Sequence, residues 1–424
     1  MNIFNFKHNY VLFYLIIFLF GLAISYLNYS LKLSGDEISY YKLAVSNDVD
    51  ILEKNWHLPG FHFFLKTLSV FSIIEFYYFR VFITIINFSL IILIAFLLGK
   101  YFKVNKFLFT FLLFISPTFT FYLVSSLWAD IFSSLVFSLA LIFLFIYLTK
   151  LKKNHFLYFC IFLFAFSTLL RPQYTLFILL IGFILFIKII SSNNIRKKLK
   201  KSIVLIIANF FIFLPILVVT LINYFSYDIF FPFISPALVK LFHFPTLSFI
   251  DTIESQFDSF NLYGIHLFIE NYSLENNLTF GESARHLNKI YTLDISYVDW
   301  VLSNSFEAFK IYFWTAKQVF IDRYIQFICW GEAACFQRDN KDLLYLLEAF
   351  ARIIYLLMLL YTIISIFFQK NNVPKYIITM MVLIIVSYVY LLCFNGIGLP
   401  HGRHFFEFQA LIIIFFCILM PHKD

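Results

Sequence analysis

Long apolar runs, divided by short clusters of Lys and Arg, repeat along nearly the whole chain. A run of this kind with an uncharged centre can cross ~30 Å of hydrocarbon as a helix. A window of about 19 residues places spans at 11–29, 77–99, 107–124, 131–149, 156–170, 174–190, 202–224, 344–368, 376–394 and 404–420. The pattern predicts an all-α polytopic membrane protein with about ten transmembrane helices, because only helices or closed barrels satisfy their backbone in lipid. The run 306–330 is apolar, yet Glu307, Lys310, Lys317, Asp322 and Arg323 recur around it. That arrangement predicts an amphipathic helix on the membrane surface and not a further span. The first run follows Lys7 and carries no small-residue cleavage site after it, so it reads as a retained anchor helix.

Two segments between spans are long: 30–76, and 225–343 with its Pro and Asn breaks. They divide the chain into an N-terminal membrane module at 1–224 containing the 30–76 loop, a partly amphipathic segment at 225–343, and C-terminal membrane helices at 344–424. No internal repeat of the inverted-transporter kind is visible.

Composition agrees with the pattern: 62% apolar residues, 13% charged residues and a mean hydropathy of +0.86 require lipid as solvent. The 62 phenylalanines read as packing and lipid-facing residues. The net charge of +8 does not indicate nucleic acid, since the basic residues gather in alternate short loops. These are Lys100/Lys103/Lys106, Lys150/Lys152/Lys153, Arg196/Lys197/Lys198/Lys200/Lys201 and Lys370/Lys375, all on the side of the N-terminus. The positive-inside rule makes that side the cytoplasm, with both termini inside. Every Asp and Glu except Asp424 then lies outside or at an outer helix end, so function is expected on the external face. Composition favours a bacterial inner membrane, with an active site open to the periplasm or exterior.

No nucleophile elbow, Walker loop, dinucleotide fingerprint or zinc quartet is present. Cys160, Cys393 and Cys417 fall in spans and read as small apolar residues. Cys329 and Cys335 fall where a disulfide is permitted by compartment. Glu348 and Arg352, i and i+4, read as a local pair.

The sharpest chemical feature is Asp36-Glu37, just past the first span and preceded by Ser34-Gly35. In a helix neighbours point about 100° apart. One carboxylate can therefore face a reacting atom while the other holds a backbone or basic partner. An isolated Asp-Glu pair is ordinarily a solvated charge; its company changes the reading. Ser34 to Ala44 runs SGDEISYYKLA, His57 to Gly60 runs HLPG, and Leu127-Trp128-Ala129-Asp130 opens the fourth span. Thr168-Leu169-Leu170-Arg171-Pro172 and Gly402-Arg403-His404-Phe405-Phe406-Glu407 stand at two other outer helix ends.

On these residues the chain resembles the GT-C superfamily of membrane glycosyltransferases, in particular protein O-mannosyltransferases and lipid A aminoarabinose transferases. His404 stands where Tyr is common in that superfamily, and Leu58 where the His-Pro-Pro form has Pro. The resemblance implies Asp36 and Glu37 as catalytic residues. It implies Tyr40, His57, Asp130, Arg171, Arg403 and His404 as substrate- or phosphate-binding residues. It also implies a polyprenyl-phosphate-linked sugar as donor, with a glycan, lipid or protein acceptor.

The chemistry is coherent on its own terms. A polyprenyl-phosphate sugar already carries a good leaving group, so no strong general acid of the glycosidase kind is required. One carboxylate, Asp36, suffices as base for in-line displacement with inversion. Cations must hold the departing phosphate, and Arg171, Arg403, His401, His404 and Arg285 are available on the outer side, with Arg preferred for its bidentate fork. The alternative for Arg403 is an interfacial anchor among headgroups. These residues specify no cofactor, while a divalent metal on His57 and His62 with Glu37 or Asp130 is a chemically admissible ligand set. A flippase or transporter of a lipid-linked saccharide is the competing reading, and an O-antigen-type polymerase or ligase a third. The first expects ionisable residues and broken helices near mid-membrane. The second expects its essential Arg and His in the large loop, where Arg285 and His286 lie.

Overall fold

The computed structural model describes residues 6–27, 36–45, 59–69, 75–121, 126–127, 129–150, 153–171, 173–191, 195–227, 341–365, 373–396 and 403–420, with the single positions 275 and 305. The elements among them are all helices. They are α1 (Phe6–Leu27), α2 (Asp36–Val45), α3 (Gly60–Ser69), α4 (Phe76–Phe102), α5 (Lys106–Phe114), α6 (Pro117–Phe121) and α7 (Ala129–Thr149). After these come α8 (Asn154–Leu170), α9 (Gln173–Ile190), α10 (Ile195–Tyr227), α11 (Lys341–Ile364), α12 (Lys375–Gly396) and α13 (Arg403–Leu419). Among the described residues four helices are long and apolar enough to cross a membrane, within Phe76–Phe102, Ala129–Thr149, Leu199–Ile222 and Leu346–Ile364; shorter apolar stretches lie in α1, α8, α9, α12 and α13.

Each of the ten predicted apolar runs is helical where described, but the third is broken in two. The cause is local. Pro117 has no N–H to donate and its ring clashes with the preceding turn, so α5 cannot continue through it. Pro117 instead opens α6, the position where its missing donor costs least. Ser116 caps the new helix by accepting from the Phe119 N–H at 3.2 Å, and the Thr120 hydroxyl reaches back to the Phe114 carbonyl at 2.9 Å. At the other end of α5 the Asn105 side chain accepts from the Phe107 and Leu108 N–H groups at 3.0 and 3.3 Å. Lys103, with φ of 59°, makes the left-handed turn between α4 and α5.

α7 is the axis of the bundle, packed on α4, α8 and α13. In its most apolar stretch 83% of residues are buried, against 17% for α10, which makes α10 the peripheral helix. Ile206, Ile207, Phe210, Phe211, Leu217 and Val218 of α10 are exposed, a face that only lipid or another apolar surface can cover. Helices on both sides of 225–343 share one apolar core, in which Phe415 of α13 packs on Phe145 of α7 and Tyr388 of α12 stacks on Phe408 at 4.5 Å.

The 30–76 segment is not a simple loop: it contains α2 and α3, which pack on each other. Together with α4, α7 and α8 they close a second apolar cluster at one end of the bundle. Tyr40 meets Phe61 edge-on at 4.8 Å, and Phe64 stacks on Phe132 at 4.7 Å. The amphipathic run 306–330, Arg285, His286, Cys329, Cys335 and the rest of the 225–343 segment except positions 225–227, 275, 305 and 341–343 lie outside the described residues.

Candidate functional site at one end of the bundle

Asp36 and Glu37 open α2, and Glu37 is wholly buried. Arg80, on the first turns of α4, donates from Nε to Glu37 Oε1 at 3.2 Å and from Nη2 to Oε2 at 2.8 Å. The Leu127 backbone N–H donates to Oε1 at 2.8 Å. One carboxylate thus joins α2, α4 and the entry to α7 through a bidentate, charge-assisted pair. Arg80 lies also 5.7 Å from the centroid of the Phe76 ring. The rest of α2 follows from helical spacing: Glu37, Tyr40 and Ala44 share one face and are buried, while Ile38 and Lys42 are exposed. The Tyr and Ala spacing of the SGDEISYYKLA motif is therefore the contact face of α2, with the Tyr40 ring in the apolar cluster.

A second pair stands on the same segment. Asp130, in the first turn of α7, forms an ion pair and hydrogen bond with Arg171. An acid there is favoured by the helix N-terminus. Arg171 is delivered by Pro172, which disfavours helical backbone in the residue before it. Arg171 accordingly leaves α8 in extended conformation, φ −150° and ψ 133°. α8 has 17 residues, so it is about 26 Å long by the helical rise, short for a full crossing. Side-chain exposure separates the two arginines: 14% for Arg171 and 6% for Arg80. Arg171 is the more exposed of the two. Behind Asp130, the Ser133 hydroxyl donates to the Asp130 carbonyl at 2.9 Å and lies 3.5 Å from the Tyr174 hydroxyl.

The HLPG motif also acquires a physical reason. A Cβ on Gly60 would fall 2.6 Å from the Leu169 carbonyl oxygen, so α3 can approach α8 this closely only with glycine. Gly60→Ala is expected to push α3 off α8 and cost about 1–3 kcal/mol by overpacking, read as a lower unfolding midpoint in detergent. His62 is buried two residues on, with its ring 4.7 Å from Phe63.

The structure therefore joins Asp130 to Arg171, and Glu37 to Leu127 three residues before Asp130. The side chains of Asp36, Arg403 and His404, and the whole of His57 and His401, lie outside the described residues. By backbone, Asp36 adjoins Glu37 and Arg403 opens α13. Arg80 was missed by sequence reasoning. Its signal was a lone cation a few residues inside an apolar run, at the end where the acid pair falls. Among the described residues no three His, Cys, Asp or Glu side chains group as a metal site, and the Glu37 and Asp130 carboxylates face arginines.

A second polar centre lies deeper in the bundle, at the α5–α6 break. Ser116 donates to Glu348 Oε2 at 2.6 Å, and Arg352 Nε is 3.5 Å from Glu348 Oε1, the i to i+4 pair expected on α11. The Tyr355 hydroxyl donates to the Leu112 carbonyl at 2.9 Å; Gln409 Nε2 donates to the Leu113 carbonyl and to the Tyr355 oxygen, both at 2.8 Å. Sequence reasoning did not find this centre, although Ser116-Pro117 inside an apolar run was a readable cap signal.

Fold and site together define a helical protein with membrane-length apolar helices and, at one end, a buried and a part-buried carboxylate–arginine pair. Comparison with protein-family models, curated proteins and solved structures finds no match to this chain.

Proposed function

We propose that the chain is an inverting glycosyltransferase that moves a sugar from a polyprenyl-phosphate carrier to an acceptor hydroxyl. In this reading it is a ten-span protein of a bacterial inner membrane, with both termini cytoplasmic and the ion-pair end facing outward. The observation that carries the reading is the division of labour within the acid pair. Both oxygens of Glu37 are taken by Arg80 and Leu127, which leaves Asp36, at the head of the same clamped helix, as the carboxylate for chemistry. At the same end of the bundle, Arg171, paired with Asp130, supplies a cation for a phosphate.

The step balances without a cofactor. The acceptor hydroxyl loses its proton to Asp36 as its oxygen attacks the anomeric carbon. The bond from that carbon to the phosphate oxygen breaks, and the electron pair leaves on polyprenyl phosphate. Arg171 holds that phosphate, with Arg403 as the second cation, and Glu37 with Arg80 keeps α2 seated. The acceptor is a glycan, lipid or protein hydroxyl.

Asp36→Asn and Glu37→Gln in separate strains test the reading. Each is expected to remove a cell-surface glycan, with Asp36→Asn present at normal membrane abundance; full glycan with normally abundant Asp36→Asn overturns it. Arg171→Lys keeps a charge but loses the planar fork. It is expected to raise KM for the donor about tenfold, an effect of roughly the size of one charged hydrogen bond, with a smaller change in kcat. One observation favours a second reading, transport of a lipid-linked saccharide: the broken α5–α6 run beside the buried Glu348–Arg352 pair is a transporter-like feature. Movement of labelled lipid-linked saccharide across sealed proteoliposomes without formation of a new glycoside supports transport instead.

A further inference from the structure

The Glu348 centre has no place in the transfer step, yet it is costly. Glu348, Arg352, Ser116, Tyr355 and Gln409 are all buried, and an ion pair removed from solvent does not repay its desolvation unless its geometry serves some purpose. Its geometry shows which parts it joins. Ser116 is shared between two roles: its oxygen caps α6 through the Phe119 N–H, and its proton goes to Glu348 on α11. Tyr355, also on α11, and Gln409 on α13 hold the carbonyls that end α5. The break is therefore gripped on both sides, the end of α5 by Tyr355 and Gln409 and the start of α6 by Glu348. α6 leads into the segment whose Leu127 N–H binds Glu37 and whose Asp130 binds Arg171.

We propose that Glu348, acting through Ser116, is a positioning residue that sets where α6 starts and hence where Leu127 and Asp130 meet the two carboxylate–arginine pairs. For its kinetic consequence this inference rests on the transferase reading; the positional coupling stands without it. Glu348 touches no substrate. It fixes where α6 starts, and thereby where the Leu127 amide and the Asp130 carboxylate sit relative to α2 and Arg171.

The test is hydrogen exchange on the full-length protein in lipid nanodiscs, followed in peptides that contain the Leu127 amide, with turnover measured in parallel. Ser116→Ala removes both the tie and the cap, and is expected to speed exchange at Leu127 at least about fivefold, the loss associated with one hydrogen bond. Where turnover is detected, kcat falls by a similar factor and KM for the donor rises, because Asp130 no longer holds Arg171 in place. The double variant Glu348→Leu/Arg352→Met removes the acceptor and leaves no buried charge while Ser116 keeps its cap on α6, so it is expected to speed exchange at Leu127 as Ser116→Ala does, and wild-type exchange there also overturns the inference. Thr362→Val, on α11 but bonded only to the Met358 carbonyl at 2.8 Å, tests for general loosening of that helix and is expected to leave Leu127 unchanged. Wild-type exchange at Leu127 in Ser116→Ala overturns the inference, as does equal acceleration in Thr362→Val. Should Ser116→Ala not accumulate, Ser116→Gly takes its place with the same readout. Absence of transfer by the wild-type protein counts against the transferase reading alone, since the exchange result is independent of it.

Discussion

Arg80→Met is expected to be the most destabilising single substitution at the ion-pair end, lowering stability by about 3–5 kcal/mol. The reason lies in what remains: Glu37 stays wholly buried in an apolar cluster with the Leu127 N–H and no guanidinium. Methionine fills much of the volume, so the loss reflects the uncompensated carboxylate more than a cavity. Adding Glu37→Gln to Arg80→Met should recover most of the loss, because the glutamine oxygen still accepts from Leu127 and no charge is left buried. Unfolding midpoints of the two single variants and the double variant, taken in one detergent, measure the coupling. An Arg80→Met midpoint equal to wild type would show that the clamp does not hold α2.

Asp36→Asn is expected to act on rate and not on stability. Removing a positioned general base costs about 10²- to 10⁴-fold in rate, while the clamp made by Glu37, Arg80 and Leu127 is untouched. Glu37→Gln is the contrast. It leaves Arg80 buried without its carboxylate, so activity and unfolding midpoint should fall together. Both substitutions thus lower activity but only Glu37→Gln lowers stability, a difference that an ordinary solvated Asp-Glu pair would not give.

The positions of the ten apolar runs were legible because they are apolar and bounded by charge, and each is helical where described apart from the break in the third. The α5–α6 break was not seen, since hydropathy averages over Pro117 and a single capping serine changes no window. α2 and α3 escaped for a related reason: each has 10 residues, too short for a span and without the sustained period that marks a longer helix. In the site, the Asp130–Arg171 pairing was approached through motif and helix ends, and the Arg171-Pro172 dipeptide carried the local geometry in plain sight. Arg80 was visible as a lone cation inside an apolar run, but nothing in sequence separates a cation that anchors at a headgroup from one that turns inward to a buried carboxylate. The Glu348 pair was read correctly as i to i+4. Its contact with Ser116 spans most of the chain and has no local signal.

The most direct measurement of the central claim uses purified protein in nanodiscs, a polyprenyl-phosphate sugar and an acceptor alcohol, with the anomer of the product determined. Wild type is expected to release polyprenyl phosphate and form a glycoside of inverted configuration, and Asp36→Asn to do so at least about 10²-fold more slowly with an unchanged unfolding midpoint. Transfer by Asp36→Asn at the wild-type rate, or a product of retained configuration, would contradict it.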